Sequence, residues 1–512
     1  MNKKILYIFF LIISIGGMMF PILFHFDVKT SKFYPINNFT SIKSSQFTLN
    51  NATVISDDST LWNNDTSQLT SIVTDYLNNV HVVWQDDTDG IWGSDREIMY
   101  CNYTNEYGWS NATVISDDAT LWNNGISTNP SIAVDSSNNL HVVWKDTTIG
   151  TWGSDAEIFY CNYTNEYGWS NATVISDDAT NWNNGNSYDP EIAIDYLDNL
   201  HVVWRDRTVG WWGGGALTDE EIMYCNFTVG TGWSNASIIS DDFSNWNTGN
   251  SYKPSIAVDS SNNLHVVWYD HTIGTWGSDA EIFYCNYTSA TGWSNATVIS
   301  DDATNWNTGS SYSPSIVADT EDNLHVVWHD ETDGWWGDDT EIMYCNYVSS
   351  TGWSNASIIS DDFTNWNNKW SGKPSIAIDS TDYVHVSWYD LSDGSWGTDT
   401  EIMYSNYTSA TGWSNASVIS DDATGWNTGN SYTPSIAVDS TNKLHVVWHD
   451  DTNGTWGKDT EIMYIKLSFE DSGPNGNGGG DIPGFQLISL IIFSVASMFA
   501  LVIISWKKST LN

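Results

Sequence analysis

From Asn51 to Tyr464 one unit recurs seven times, with a period of 60 residues and a single step of 64. Its clearest marker is His-Val-Val-Trp-x-Asp, opening at His81, His141, His201, His265, His325 and His445, with His-Val-Ser-Trp at His385. Ser-Asp-Asp runs in step with it, from Asp57 and Asp58 to Asp421 and Asp422. Each unit reads as four short strands between turn formers, for example Ser131 to Asp135, Leu140 to Trp144, Glu157 to Tyr163 and Asn171 to Ser176, named A to D. One four-stranded sheet cannot bury both faces, whereas sheets packed radially can. Leu140-His-Val-Val-Trp144 carries apolar groups on both faces, as a doubly covered sheet requires. The expected fold is therefore an all-β, seven-bladed β-propeller over residues 51–469.

The ends of the array imply how it closes. The first recognisable strand, Asn51 to Ser56, is a D strand, and the last repeat stops after its C strand at Glu461 to Leu467. The N-terminal strand can complete the seventh blade, which ties first blade to last and removes exposed sheet edges.

The flanks suggest a membrane setting. Residues 1–26 hold an apolar run, Ile5 to Phe24, after Lys3 and Lys4, the pattern of a signal peptide or signal anchor. Residues 27–50 read as a linker and 470–484 as a Gly-rich tether. Residues 485–505 are 21 uncharged, mostly apolar residues, the length of a transmembrane helix, and Trp506, Lys507 and Lys508 place a tail of 506–512 in the cytoplasm. The propeller is expected outside the cell membrane. With 63 Asp and Glu against 17 Lys and Arg, a net charge of -46 disfavours nucleic acid as a partner and favours cations. The segment Ile482-Pro-Gly-Phe485 with the apolar run and lysines resembles the C-terminal sorting tails of archaeal surface proteins.

If strand A is innermost, the D-to-A and B-to-C loops share one face, the top, and the A-to-B and C-to-D turns share the bottom. Of 15 Asn-x-Ser/Thr sequons, 12 lie on strands C or D beside the C-to-D hairpin, including Asn111, Asn162, Asn171, Asn235, Asn286, Asn295, Asn355, Asn406 and Asn415. Glycans there would coat the bottom and rim and leave the top bare.

The top loops hold the candidate binding residues. D-to-A loops carry Trp62, Trp122, Trp182, Trp246, Trp306, Trp366 and Trp426, each before Asn. B-to-C loops carry Trp92, Trp152, Trp212, Trp276, Trp336, Trp396 and Trp456, each before Gly. An indole beside amides suits a sugar, whose C–H face stacks on the ring while its hydroxyls seek hydrogen bonds. The alternative is that these rings wedge between blades and order the loops. The acids Asp118, Asp146, Asp155, Asp302, Asp330 and Asp339, with their repeat equivalents, offer the oxygen-only donors that calcium takes. The alternative is that Asp caps turns through its own backbone. The strand-B histidines occur once per blade without a second His at ligand spacing, which suits structural roles. Five cysteines, Cys101, Cys161, Cys225, Cys285 and Cys345, share one strand-C position and read as buried side chains without disulfides.

The order Pro434-Ser-Ile-Ala-Val-Asp, Lys443-Leu-His-Val-Val-Trp448-His-Asp, Glu461-Ile-Met-Tyr464, with Gly412-Trp-Ser before it, resembles the sialidase-like propellers built from Asp-box (BNR-type) repeats. The Asp of that box is missing from Thr288-Ser-Ala-Thr-Gly-Trp293. The resemblance implies either a glycosidase or a carbohydrate-binding and adhesion module. Sialidase-like catalysis requires an arginine triad from separate blades, and the chain has only Arg96, Arg205 and Arg207, two of them in one blade. The reading is a cell-surface propeller that binds glycans or surface proteins through its top loops, with calcium as the possible cofactor. A glycoside hydrolase and a surface-layer component assembled by calcium are the alternatives.

Overall fold

The computed structural model describes residues 8–15, 18–26, 33–35, 47–49, 52–57, 63–117, 122–177, 183–208, 219–241, 247–301, 307–334, 336–361, 367–394, 396–421 and 427–469. Seven sheets, one per repeat, follow one pattern. In blade 2, strand A (Ser127–Val134) pairs antiparallel with strand B (Leu140–Asp146), and B pairs with strand C (Glu157–Thr164). Strand D is two short pieces, Gly168–Trp169 and Thr173–Val174, both paired with C, rather than one run. Ser170 separates them because its hydroxyl accepts the Asn162 N–H at 3.0 Å, replacing a strand carbonyl.

The chain is an all-β seven-bladed propeller, and its N-terminal strand lies in the last blade. Phe47–Leu49 and Thr53–Val54 both pair with Glu461–Phe469 as the D pieces of blade 7. The closing strand therefore begins at Phe47, inside the stretch read as linker. Farther upstream, Ile8–Ile15, Met18–Phe26 and Phe33–Pro35 form a separate three-stranded antiparallel sheet. The expected tether, membrane helix and cytoplasmic tail lie outside the described residues. Among the described residues no helix is long and apolar enough to cross a membrane.

The two-faced strand B builds the core. Val142 and Trp144 pack on Val83, Ile98 and Tyr100 of blade 1, while Val143 turns the other way onto Trp204 and Met223 of blade 3. Every seam between blades holds one such cluster, including the seam where Trp84 of blade 1 meets Val447 and Ile462 of blade 7. The seven strand-B tryptophans from Trp84 to Trp448 are wholly buried, and truncating any to alanine would cost about 3–5 kcal/mol. The cysteines are buried and unpaired.

Polar networks staple the same seams at both ends. At the bottom, the A-to-B turn residue of each blade takes a left-handed backbone and accepts an N–H from the preceding blade. Tyr76 N–H reaches Asn138 at 3.0 Å, and Ser440 N–H of blade 7 reaches Asn78 of blade 1 at 2.9 Å. Each strand-B histidine sits between a tyrosine hydroxyl and a turn aspartate, as His141 does with Tyr160 at 2.8 Å and Asp135 at 3.4 Å. At the top, Asp146 collects Trp144 Nε1 at 3.0 Å, Ser127 Oγ at 2.7 Å, Asn123 Nδ2 at 2.9 Å and the Thr148 N–H at 2.7 Å.

Candidate binding site at the axial mouth

The feature that positions a site is a bulge in strand A. Between Tyr188 and Glu191 the A–B register slips, and the residue before the bulge proline, Asp189, has φ of 51°. The same slip recurs in every blade, so Leu69, Asn129, Asp189, Lys253, Ser313, Lys373 and Thr433 all adopt φ between 46° and 55°. An L-residue there costs about 1–2 kcal/mol, yet no position uses glycine. These seven residues ring the propeller axis and, with Thr70 in blade 1 and a proline after each of the other six, line a cavity of about 270 Å³. The backbone is seven-fold; the side chains are apolar, amide, acidic, basic or hydroxyl by turn. Sevenfold symmetry breaks here.

The charges at this ring are paired from three blades. Asp189 contacts Lys253 Nζ at 2.5 Å, Arg205 Nε at 3.3 Å and Asn129 Nδ2 at 3.2 Å. Burial works against its charge, but Lys253 and Arg205 hold the Asp189 carboxyl below its ordinary range. Arg205 also meets Glu220 at 2.8 Å. Glu191, two residues on from Asp189, accepts Ser131 Oγ at 2.8 Å, and crowding by the surrounding strands pushes its carboxyl up. Lys373 faces the channel solvent; desolvation by neighbouring strands and the positive charge of Lys253 push its ammonium down. Ten of the 17 Lys and Arg fall within residues 51–469, and Lys145, Arg205, Lys253 and Lys373 are all drawn to this region of an otherwise acidic molecule.

An aromatic belt surrounds these charges. Arg205 stacks over Tyr188 at 4.3 Å and Tyr252 at 4.8 Å, and Lys145 lies over Tyr188 at 4.7 Å. The belt continues through Tyr252 against Tyr269, Tyr269 against Tyr312 and Tyr312 against His329, then Tyr389 against Tyr432 and Tyr432 against His449. Burial holds His329 down to about 3 and His449 to about 4, so both are neutral at pH 7. Trp370, 6.3 Å from His329, stays 45% exposed. Paired cations thus stand beside aromatic ring faces at the mouth of the axis.

The loop residues singled out from the sequence are placed differently. Trp92, Trp152, Trp276, Trp336, Trp396 and Trp456 are half-buried and donate their indole N–H to a carbonyl four residues upstream, as Trp152 does to Thr148 at 3.0 Å. Each ring lies against its own loop glycine: a Cβ on Gly150 would fall 2.3 Å from Trp152. Trp122 packs on Phe159 at 5.8 Å. Trp62, Trp182, Trp212, Trp246, Trp306, Trp366 and Trp426 lie outside the described residues, as do Asp118 and Asp302. Asp146 and Asp330 are buried seam hubs; Asp330 receives Trp328 Nε1 at 2.9 Å and Ser311 Oγ at 2.7 Å. Asp155 and Asp339 sit half-buried in the B-to-C loops. Among the described residues no three His, Cys, Asp or Glu converge as a metal site. Of the sequon residues, Asn111, Asn171, Asn235, Asn295, Asn355 and Asn415 are exposed, Asn162 and Asn286 half-buried and Asn406 buried.

Sequence reasoning missed the axial ring and Trp370. Its signal was present: the residue before Pro-Ser-Ile varies from Lys253 to Ser313 to Lys373 while its neighbours hardly change, and Pro190-Glu191 departs from Pro-Ser.

No protein-family model matches the chain, and no curated protein matches it in sequence. Among solved structures, an ulvan lyase of polysaccharide lyase family 25, bound to -[GlcA(1-4)Rha3S]-, superposes with a TM-score of 0.50 at 9% identity, covering 78% of this chain and 94% of that one. A protein of unknown function from Dyadobacter fermentans matches at 8% identity and TM-score 0.46, covering 83% and 99%. The leech intramolecular trans-sialidase matches at 11% identity and TM-score 0.39, covering 80% and 69%. The chain is a seven-bladed β-propeller structurally similar to sialidases and family 25 polysaccharide lyases, a likeness of fold.

Proposed function

We propose that this protein is a cell-surface propeller that binds carbohydrate at the axial mouth of its top face, with an acidic substituent of the glycan seated over Arg205, Lys253 and Lys373. The observation that carries the reading is the broken symmetry of the axial ring: the repeat keeps its backbone and seams alike in every blade, and here the equivalent positions hold Leu69, Asn129, Asp189, Lys253, Ser313, Lys373 and Thr433. The cavity, about 270 Å³, is smaller than the ~300–1,000 Å³ of ligand clefts, so it suits one charged group. The sugar rings would lie across Trp370 and the tyrosine belt. The solved ulvan lyase with its bound uronate-containing, sulfated saccharide shows that a similar fold holds such a ligand, which supports the class without fixing the chemistry. A C-terminal anchor at 485–505 would hold the propeller outside the membrane. Surface proteins remain partners of the same top face where they carry acidic glycans.

The test is a glycan array comparing carboxylated and sulfated glycans with neutral ones, run with the wild type, Lys373→Ala and Trp370→Ala. Binding restricted to acidic glycans and lost in both variants is expected. Equal binding of neutral glycans, or unchanged binding by Lys373→Ala, overturns the axial assignment. Cleavage of a bound glycan would assign the same site to catalysis.

A further inference from the structure

Six of the seven blades also carry a pair of carboxylates that neither the seam hubs nor the axial site uses fully. Glu157 opens strand C of blade 2 and is completely buried. Its Oε2 receives Ser176 Oγ at 2.5 Å and Asn183 Nδ2 at 3.2 Å, which fixes the carboxylate plane. Its Oε1 is buried without a hydrogen-bond partner. The same oxygen has no hydrogen bond in Glu97, Glu221, Glu281, Glu341, Glu401 and Glu461. Buried polar atoms are nearly always satisfied, and a carboxylate oxygen left bare is costly. A seven-fold recurrence marks a built feature rather than an accident of one loop.

Two residues upstream stands the second carboxylate. Asp155 Oδ2 is buried without a hydrogen-bond partner, as are the equivalents Asp95, Asp279, Asp339, Asp399 and Asp459. The loop is shaped around this aspartate. Gly153 has φ of 129°, and a Cβ there would stand 2.6 Å from Asp155 Oδ1, so glycine lets the carboxylate fold back over its own loop. The five equivalent glycines repeat the arrangement. The charges acting most on Glu157 are all carboxylates, Asp155 first. Two unpartnered buried carboxylate oxygens on residues two apart in the chain call for a counter-charge that satisfies both.

We propose that the Glu157–Asp155 pair and its five equivalents each hold one hard divalent cation, calcium, with Glu Oε1 and Asp Oδ2 as protein ligands and water completing the shell. Oxygen-only donors select calcium over transition metals. With two carboxylates per ion the affinity falls in the ~10⁻⁴–10⁻³ M range of extracellular calcium modules. Blade 3 is left out, because Asp219 there follows the longer loop and shows no bare oxygen. This assignment keeps Asp155 and Asp339, replaces Asp146 and Asp330 by strand-C glutamates, and does not depend on the glycan reading.

The test is equilibrium dialysis of radioactive calcium against the full-length protein in detergent, from 0.05 to about 10 mM calcium, as suits sites of that strength. Six saturable ions per chain are expected. Glu157→Gln, which preserves the shape and the Ser176 contact, removes one ion, and Glu157→Gln with Glu341→Gln removes two. Glu106→Gln, on an exposed hairpin, removes none. Absence of saturable binding, or stoichiometry unchanged in the double variant while near-UV circular dichroism stays native, overturns the proposal and assigns the bare oxygens to water or protons.

Discussion

Replacing Asp146 with alanine separates a seam role from a ligand role for the acids of the repeat. Four donors converge on this carboxylate at 2.7–3.0 Å inside a seam closed to solvent. Asn123 can turn to Ser116 O, 3.2 Å away, and the Ser127 hydroxyl can rotate. The Trp144 indole and the Thr148 amide cannot follow, and each orphaned buried donor costs about 1–3 kcal/mol. Together these losses amount to about 4 kcal/mol, a large share of the ~5–15 kcal/mol that holds a typical protein folded. Urea unfolding followed by tryptophan fluorescence should show that drop in 1 mM calcium and equally in chelator. Asp330→Ala should match it, and Asp146→Asn, which keeps one acceptor oxygen, should lose about half. A loss under 1 kcal/mol, or one that disappears in chelator, would refute the seam account.

Other outcomes follow from the same geometry. Burial pushes Glu97, Glu157, Glu221, Glu281, Glu341 and Glu401 up to about 9. A carboxyl raised in the fold favours its protonated form there, so the stability it contributes is whole below the unfolded value near 4.3 and is lost as pH climbs toward 9. In chelator the stability should therefore fall between pH 7 and 9, by up to about 1.4 kcal/mol per pH unit for each Glu, and the melting temperature with it, and calcium should flatten that slope; a melting temperature that rises across this window refutes it. Gly150→Ala drives a methyl into Trp152 and should cost about 1–3 kcal/mol with a red shift in tryptophan emission; an unshifted spectrum would mean the ring is free of its loop. Deleting residues 1–50 removes three ladder positions, Phe47 to Leu49, and should lower stability by about 2–3 kcal/mol, with proteolysis beginning in blade 7. Cleavage starting elsewhere would place closure in other contacts.

The sequence made the blades legible because a blade is local: strand, turn and strand lie within one period, and strand B announces its two covered faces in Val142, Val143 and Trp144. Closure was legible for a similar reason, since a lone D strand at one end and a missing one at the other have a single arithmetic solution. The placement of function was harder to read. Asp146 looks like a ligand in sequence because its four donors come from residues 2 to 23 positions away, and only the fold shows that they exhaust it. Trp152 looks open because nothing in the sequence reveals that Thr148 O takes its N–H. The axial ring depends on a register slip, at a proline in six blades and at Thr70 in blade 1, that composition does not reveal, and its signal was variation inside a repeat whose constancy drew attention. In the bottom turns Asn78 and Asn138 stitch neighbouring blades, contacts between residues 62 and 362 positions apart.

The shared ladder of blade 7 has a mechanical consequence. Phe47 stands opposite Phe469, so the chain enters and leaves the ring on one rim, at the bottom, on adjacent antiparallel strands. Pulling on the C-terminal side would peel strand C from its closing partner one pair at a time, beginning at Phe469, instead of shearing the whole ladder at once. A propeller hung from a membrane by that end would pivot on a single point with its axial mouth turned outward. Sustained load would be felt first by three residue pairs, leaving the six other blades slack.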